Sequence, residues 1–386
     1  MQEKTGVWAT ARRFFGRVPR WAYALAALAL AISVPLLEQA DLIQTVWLRL
    51  GIRSLVYVLL AMGLNVVMGE TGLLNLGYIA FFAVGSYTTA IFSSPRLGYH
   101  VDFWILLLAS TGLAMLAGLL IGLPTLRLRG DYLAIVTLGF GEITRITFNN
   151  WESVTNGPGG IPQIYRPMIL GLKIDKPGEF YYLVLIFVVL VAIMLTNLKS
   201  SRVGRAWNAL REDEIAAEHS GIHGTSLKLL SMVISAGIAG LAGCLFAYYQ
   251  QFINPTYFEF LQSVLVVCMV VLGGMGSIPG AIAGAALLDA LPEFIRQAFS
   301  RWLPDLLGEQ TMDSLPVAVQ NFFIEFDRYR MLIVGLVIVV MVIFRPEGIL
   351  PDSLWRREVR EEDPREVEKT RQKLFDFDEG HQDLEA

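Results

Sequence analysis

The sequence predicts an all-α, polytopic membrane helical bundle, and three observations carry that prediction. Hydrophobic residues make up 54% of the chain and charged residues only 17%, against roughly 25% charged in an ordinary soluble domain, and the mean hydropathy is positive. Apolar runs such as 21–37, 103–123 and 180–196 match the roughly 17–25 residues that a helix needs to cross a hydrocarbon core of about 30 Å. The charges collect between those runs, so the net charge of −4 describes connecting segments rather than a surface. Cys244 and Cys268 both lie inside apolar runs, which argues against a disulfide framework or a zinc site.

Length and periodicity give about ten spans, at 21–37, 52–68, 74–92, 103–123, 132–148, 180–197, 227–250, 262–274, 279–295 and 331–344. Arg12, Arg13, Arg17 and Arg20 precede the first span, so the positive-inside rule places the N-terminal arm, residues 1–20, in the cytoplasm. This arm and the Ala/Leu run after it have signal-peptide features, but no clear A-x-A site follows, and the run is read as a span. Counting outward and back puts 125–131, 199–223, 273–280 and the tail from 345 in the cytoplasm, in agreement with Arg127, Arg129, Lys199, Arg202, Arg205, Arg211, Arg345, Arg356 and Arg357. The 296–330 segment runs against the rule, since it falls outside yet carries Arg296, Arg301, Arg328 and Arg330. The tail, 351–386, mixes both signs and reads as a disordered or partly helical cytoplasmic extension.

Two features bear on a transmembrane pathway. Ala114, Gly118 and Gly122, and likewise Gly276, Gly280 and Gly284, repeat at four-residue spacing, the pattern that lets helix backbones approach closely; packing alone accounts for them. Asn65, Glu70, Asn75, Asp131 and Glu142 sit within or at the ends of apolar runs, where a polar group is costly unless it faces a cavity or a partner. Glu142 has Arg145 three residues on, within reach for a structural ion pair, and is balanced between that role and a pathway role. "MGETGLLNLG" at 68–77 interrupts two apolar runs with almost no room for a water-exposed loop. Broken backbone at membrane depth is tolerated where it is buried in protein or lines a cavity, so Asn65, Gly72, Asn75, Thr137 and Glu142 are the candidate pathway residues.

The charged stretch 199–223 reads as a helical hairpin on the cytoplasmic face. Val203, Ala206, Trp207 and Leu210 share one helical face while Arg202, Arg205 and Arg211 point elsewhere. Asp213 is placed to cap a second short helix that buries Ile215 and Ala216 and stops at Gly221. A solvated loop or an interfacial helix on lipid would share this pattern, but an amphipathic hairpin is also what a membrane subunit offers a soluble partner.

"LNVVMGETGLLNLGYIAFFAVGSYTTA", "LRLRGDYLAIVTLGFGEITR", "SRVGRAWNALREDEIAAEHSGI" and "GGMGSIPGAIAGAAL" together resemble the permease subunits of bacterial ABC importers for branched-chain amino acids, and more narrowly the larger of the two paired permeases. The resemblance runs from about Arg53 to "FRPEGIL" at 344–350. It implies an all-helical permease of the vitamin-B12-importer (type II) kind in the bacterial inner membrane, with both termini cytoplasmic. Its partners would be a second, similar permease, two cytoplasmic ATPase subunits and an extracytoplasmic binding protein, with no nucleic acid and no cofactor in this chain. The permease domain would occupy 21–350. Its coupling helices would lie in 199–223, with Arg202, Gly204, Arg205, Ala206, Trp207, Arg211, Glu212, Asp213, Glu214 and Gly221 at the ATPase contact.

The residues agree with that division of labour. No G-x-x-x-x-G-K-[ST] is present, so ATP hydrolysis is expected in other subunits, and "GGMGSIPG" lacks the Lys of a phosphate loop. His219 and His223 are four apart, but Ser220 stands where a metalloprotease pattern requires Glu, so no metal site is expected. "VTNGPGGIPQ" at 154–163 is a turn cluster on the outer side, either a plain loop or a surface for the binding protein. Branched-chain amino acids are the favoured cargo; urea and short amides also suit an apolar passage. An ion-coupled carrier working alone explains the intramembrane carboxylates but not the hairpin. An intramembrane enzyme lacks convergent catalytic groups.

Overall fold

The computed structural model describes residues 20–40, 44–95, 98, 101–125, 130–169, 171–297, 335–336, 339–341, 343 and 348–350. Most of the arm 1–20, the 298–334 segment, most of the tenth expected span and the tail lie outside the described residues.

Helices underlie the first nine expected spans. They are α1 (Arg20–Gln39), α2 (Thr45–Asn65), α3 (Ile79–Phe92), α4 (Phe103–Thr125), α5 (Asp131–Asn150) and α6 (Pro177–Ser200). After the pair α7 (Arg202–Glu212) and α8 (Glu214–His219) come α9 (Gly224–Gln250), α10 (Phe260–Gly273) and α11 (Ile278–Gln297). Among the described residues, four continuous stretches are long and apolar enough to cross a membrane: α2 with the turn that follows it, α4, α6 and α9. The chain is a helical membrane bundle.

The expected span 74–92 is corrected. Its helix begins at Ile79, and at 14 residues α3 is about 21 Å long, too short to span a bilayer by itself. Asn65 instead runs on into a π-helical turn, Val66–Glu70, and residues 71–78 are non-helical. α10 is equally short, and a two-residue strand and a 3-10 turn lead into it.

α2 and α9 form the centre, with α3 and α4 packed on α9 and with α10 and α11 on α2. Small residues set these distances. A Cβ added at Gly118 on α4 would sit 2.6 Å from the Ala236 Cβ on α9, and one at Gly284 on α11 would sit 2.7 Å from the Gly273 Cα. The two small-residue repeats therefore bring helices together. Outward, α4 presents Leu108, Leu116 and Leu120, and α6 presents Ile186, Leu190 and Ile193, side chains suited to lipid.

The outer cluster 154–163 is pinned rather than loose. β1 (Ile161–Pro162) pairs antiparallel with β4 (Phe252–Ile253), and Asn254 Nδ2 donates to Pro158 O at 3.0 Å. A separate short hairpin joins β2 (Met168–Ile169) to β3 (Leu172–Lys173).

Candidate functional site: a broken helix tied to an amphipathic hairpin

The break at 71–78 lies inside the bundle, so its polar backbone must find protein partners. Thr137 Oγ1 on α5 accepts from Leu76 N at 3.1 Å, and Ser263 Oγ on α10 donates to Leu76 O at 2.5 Å. Asn75 Oδ1 accepts from Gly77 N at 3.0 Å, and Leu73 N donates to Val67 O at 3.1 Å. Gly77 lets α5 close on this segment: a Cβ added at Gly141 would sit 3.3 Å from the Gly77 Cα. Thr137 and Asn75 are each 1% exposed, and their oxygens bond to this backbone.

One turn below, the π-turn is a hub. Glu70 Oε1 meets Lys199 Nζ at the end of α6 at 3.1 Å, and Lys199 also donates to Gly276 O. Gly276 N donates to Asn65 Oδ1 at 2.9 Å. An added Cβ at Gly69 would lie 2.8 Å from the Gly276 Cα, so glycine is required for this approach. The end of the "FRPEGIL" motif seals the far side, with Leu350 N donating to Gly273 O at 2.9 Å. A cavity of about 10 Å³ remains beside Asn65, Glu70 and Lys199, room for about one water.

The hairpin is built as its sequence predicts and attached more firmly. Ser201 Oγ accepts from Val203 N at the start of α7, and Asp213 Oδ1 accepts from Ile215 N at 2.9 Å and Ala216 N at 3.0 Å at the start of α8. Gly221, at φ +86°, ends α8. Ile222 N donates to Ala217 O and Gly221 N to Glu218 O, the paired bonds of a Schellman stop. Trp207 is 1% exposed and its Nε1–H donates to Leu227 O at 2.8 Å, which fastens α7 to α9. Gly204 packs against the carbonyls of Leu198 and Lys199 where α6 turns into α7.

Three details differ from the sequence reading. Ala217 is the buried residue of α8, while Ile215 is 62% exposed and Ala216 is exposed; the Asp213 cap sets the helix phase and turns Ile215 outward. Arg211, expected at the ATPase contact, donates to Gly69 O in the hub. Glu214 pairs within the chain, to Lys228 Nζ at 2.6 Å. Arg202, Arg205, Glu212, Ile215 and Ala216 are among the exposed residues of the hairpin.

The expected pathway residues separate into three places. Asn65 joins the hub, and Asn75 and Thr137 hold the break. Gly72, at φ +70°, is exposed within the break near Arg211, and Glu142 lies on the outward side of α5. Arg145 Nε donates to Glu142 Oε1 at 3.0 Å and Oε2 at 3.1 Å, so the pairing expected from the sequence is present.

Besides Glu214 and Lys228, two charge pairs that tie helices of the bundle together escaped the sequence reading. Lys199 is one, the partner of Glu70. The other is Asp289 on α11, 8% exposed, which accepts from Ser54 Oγ at 2.5 Å and meets Arg53 Nε at 3.0 Å on α2. A signal existed, because Arg53 and Asp289 are opposite charges inside two separate apolar runs.

Comparison with known proteins identifies the family. The family model described as "Branched-chain amino acid transport system / permease component" matches residues 47–342. The chain is 38% identical over 352 residues to the high-affinity branched-chain amino acid transport system permease protein LivM of Escherichia coli K12, covering 85% of this chain and 74% of the relative. BraD of Pseudomonas aeruginosa, a permease protein of the same description, is 29% identical over 76% of this chain and 91% of its own length. LivH of Salmonella typhimurium, also so described, is 27% identical over 60% of this chain and 79% of its own length. No solved structure matches.

Proposed function

The chain belongs to the branched-chain amino acid transport system permease family, and from that premise we propose how it works. It is a membrane permease, not an enzyme, and it forms the passage for branched-chain amino acids in an ABC importer. Similarity to both LivM and LivH supports a paired arrangement in which a second, related permease completes the passage. ATP is hydrolysed by two cytoplasmic subunits, and an extracytoplasmic protein delivers the amino acid. The fold is of the type II importer kind, with about ten spans across the bacterial inner membrane and both termini in the cytoplasm.

The attachment of the hairpin carries this reading. An amphipathic pair of helices holds exposed charge and an exposed Ile215 outward, while Arg211 from the same pair grips the π-turn that precedes the break. Movement imposed on α7–α8 by an ATPase is thereby passed to Gly69, Glu70 and the non-helical segment, through contacts with two ends rather than through bulk flexibility. Arg202, Arg205 and Glu212 then belong to the ATPase contact. Trp207, Gly204, Asp213 and Gly221 hold the shape of the hairpin, and Gly72 and Glu142 face the passage.

The test is purification of this chain from membranes with whatever accompanies it, followed by ATPase activity and ATP-driven uptake of leucine and urea in proteoliposomes. Co-purification of an ATP-hydrolysing subunit and a second permease, with leucine preferred, is expected. A chain that purifies alone and drives uptake from an ion gradient contradicts the proposal, and preference for urea contradicts its cargo.

A further inference from the structure

α5 differs from its neighbours in what it turns outward. Ile135, Gly139, Glu142 and Ile146 stand at i, i+4, i+7 and i+11, one stripe of an α-helix. On this stripe Ile135 is 65% exposed, nothing lies within 4 Å of a Cβ added at Gly139, and the Glu142 and Arg145 side chains are 39% and 27% exposed. The corresponding faces of α4 and α6 are leucine and isoleucine. Glu142 lies about 17 Å along α5 from its first residue, just past the middle of a 20-residue helix. With α5 as the span that the apolar run 132–148 predicts, an ion pair midway along it cannot face lipid cheaply, so this side of α5 faces water or protein.

The surroundings narrow the choice. α5 touches the 3-10 turn Pro255–Phe258 that leads into α10, and Glu259, the residue after that turn, is close enough to act electrostatically on Arg145. Arg145 thus pairs with Glu142 and also feels the charge of Glu259. Beside them the absent side chain of Gly139 leaves a notch bounded by Ile135 below and by Glu142 and Ile143 above, and Ile143 is 59% exposed. A branched aliphatic amino acid has the complementary form, with one carboxylate and one ammonium at one end and a compact apolar group at the other. It can exchange charge for charge with a pair that neutralises itself when empty.

We propose that this stripe is a substrate subsite, in which Arg145 holds the carboxylate of the transported amino acid, Glu142 and Glu259 hold its ammonium group, and the Gly139 notch receives its aliphatic side chain. The assignment rests on the permease reading above. It gives that reading a recognition chemistry of its own, separate from selection by the delivering protein, and it disfavours urea, which has neither charge.

The test uses the complete transporter with Cys244 and Cys268 replaced by Ala, carrying Gly139→Cys as a reporter and treated with a membrane-impermeant thiol reagent. If Gly139→Cys fails to assemble with its partners, Ile135→Cys takes its place. Labelling that is largely lost on adding leucine, and not on adding urea, is the expected result. Labelling unaffected by leucine means a water-filled passage without a subsite, and absence of labelling means a face covered by the second permease or by lipid; either overturns the proposal. In the same complex Arg145→Gln cuts leucine uptake by about 10- to 100-fold, the loss of one charge-assisted hydrogen bond, with the ATPase still co-purifying. Wild-type leucine uptake is the control that separates the two claims, since its absence defeats the permease reading while its presence leaves the subsite to stand or fall by the labelling.

Discussion

The hub beneath the break and the outward stripe of α5 both carry charge on an apolar bundle, one inside it and one on its outer face, and they handle it in opposite ways. In the hub Glu70 is closed in against Lys199, Lys199 is shared with Gly276 O, and Arg211 is bound to Gly69 O, around space for about one water. On α5 Glu142 and Arg145 pair side by side on one helix, partly open, with Glu259 acting on Arg145 electrostatically. A closed network fixes geometry, because removing one member strands the others. A half-open pair costs little to separate, so it can trade partners. In the proposed scheme the hub passes on movement and the stripe handles cargo.

That contrast can be broken by substitution. The largest effect is expected at Glu70→Ala, which removes the carboxylate that Lys199 meets in the hub. The cost is about 3 kcal/mol, at the low end for a buried pair because Lys199 is partly exposed. Thermal unfolding of the purified complex measures it, and an unchanged midpoint would mean that the pair does not hold the hub. Thr137→Val comes next: it keeps the shape of the side chain but removes the acceptor for Leu76 N, at about 1–2 kcal/mol. Hydrogen exchange at Leu76 and Gly77 should rise while α9 stays protected. Arg205→Glu is the smallest in stability, within about 0.5 kcal/mol for an exposed residue. Its effect should appear instead as loss of ATPase-driven uptake with normal membrane insertion, and wild-type uptake would remove Arg205 from the ATPase contact.

Much of this was legible in the sequence. Apolar runs located nine helices because span length is set by bilayer thickness, and the Asp213 cap, the Gly221 stop and the buried Trp207 face followed from local rules that need no tertiary context. The polar positions 65, 70, 75, 137 and 142 were also visible, but of their partners only Arg145, three residues from Glu142 on the same helix, was. Whether Asn65 meets Gly276, or Glu70 meets Lys199, depends on how segments more than a hundred residues apart come together. The π-turn was hidden for a related reason. Val66–Glu70 continues the apolar pattern of α2, and what widens and ends the helix there is the approach of Gly276 and Arg211 from elsewhere in the chain.

The central claim is that the hairpin drives the break through Arg211. The most direct measurement is the number of leucine molecules imported per ATP hydrolysed by the reconstituted complex carrying Arg211→Ala. The account predicts that ATP is still hydrolysed and the ATPase still bound, while the ratio falls to a small fraction of the wild-type value. An unchanged ratio would contradict it, because the link from α7 to Gly69 would then carry no part of the motion.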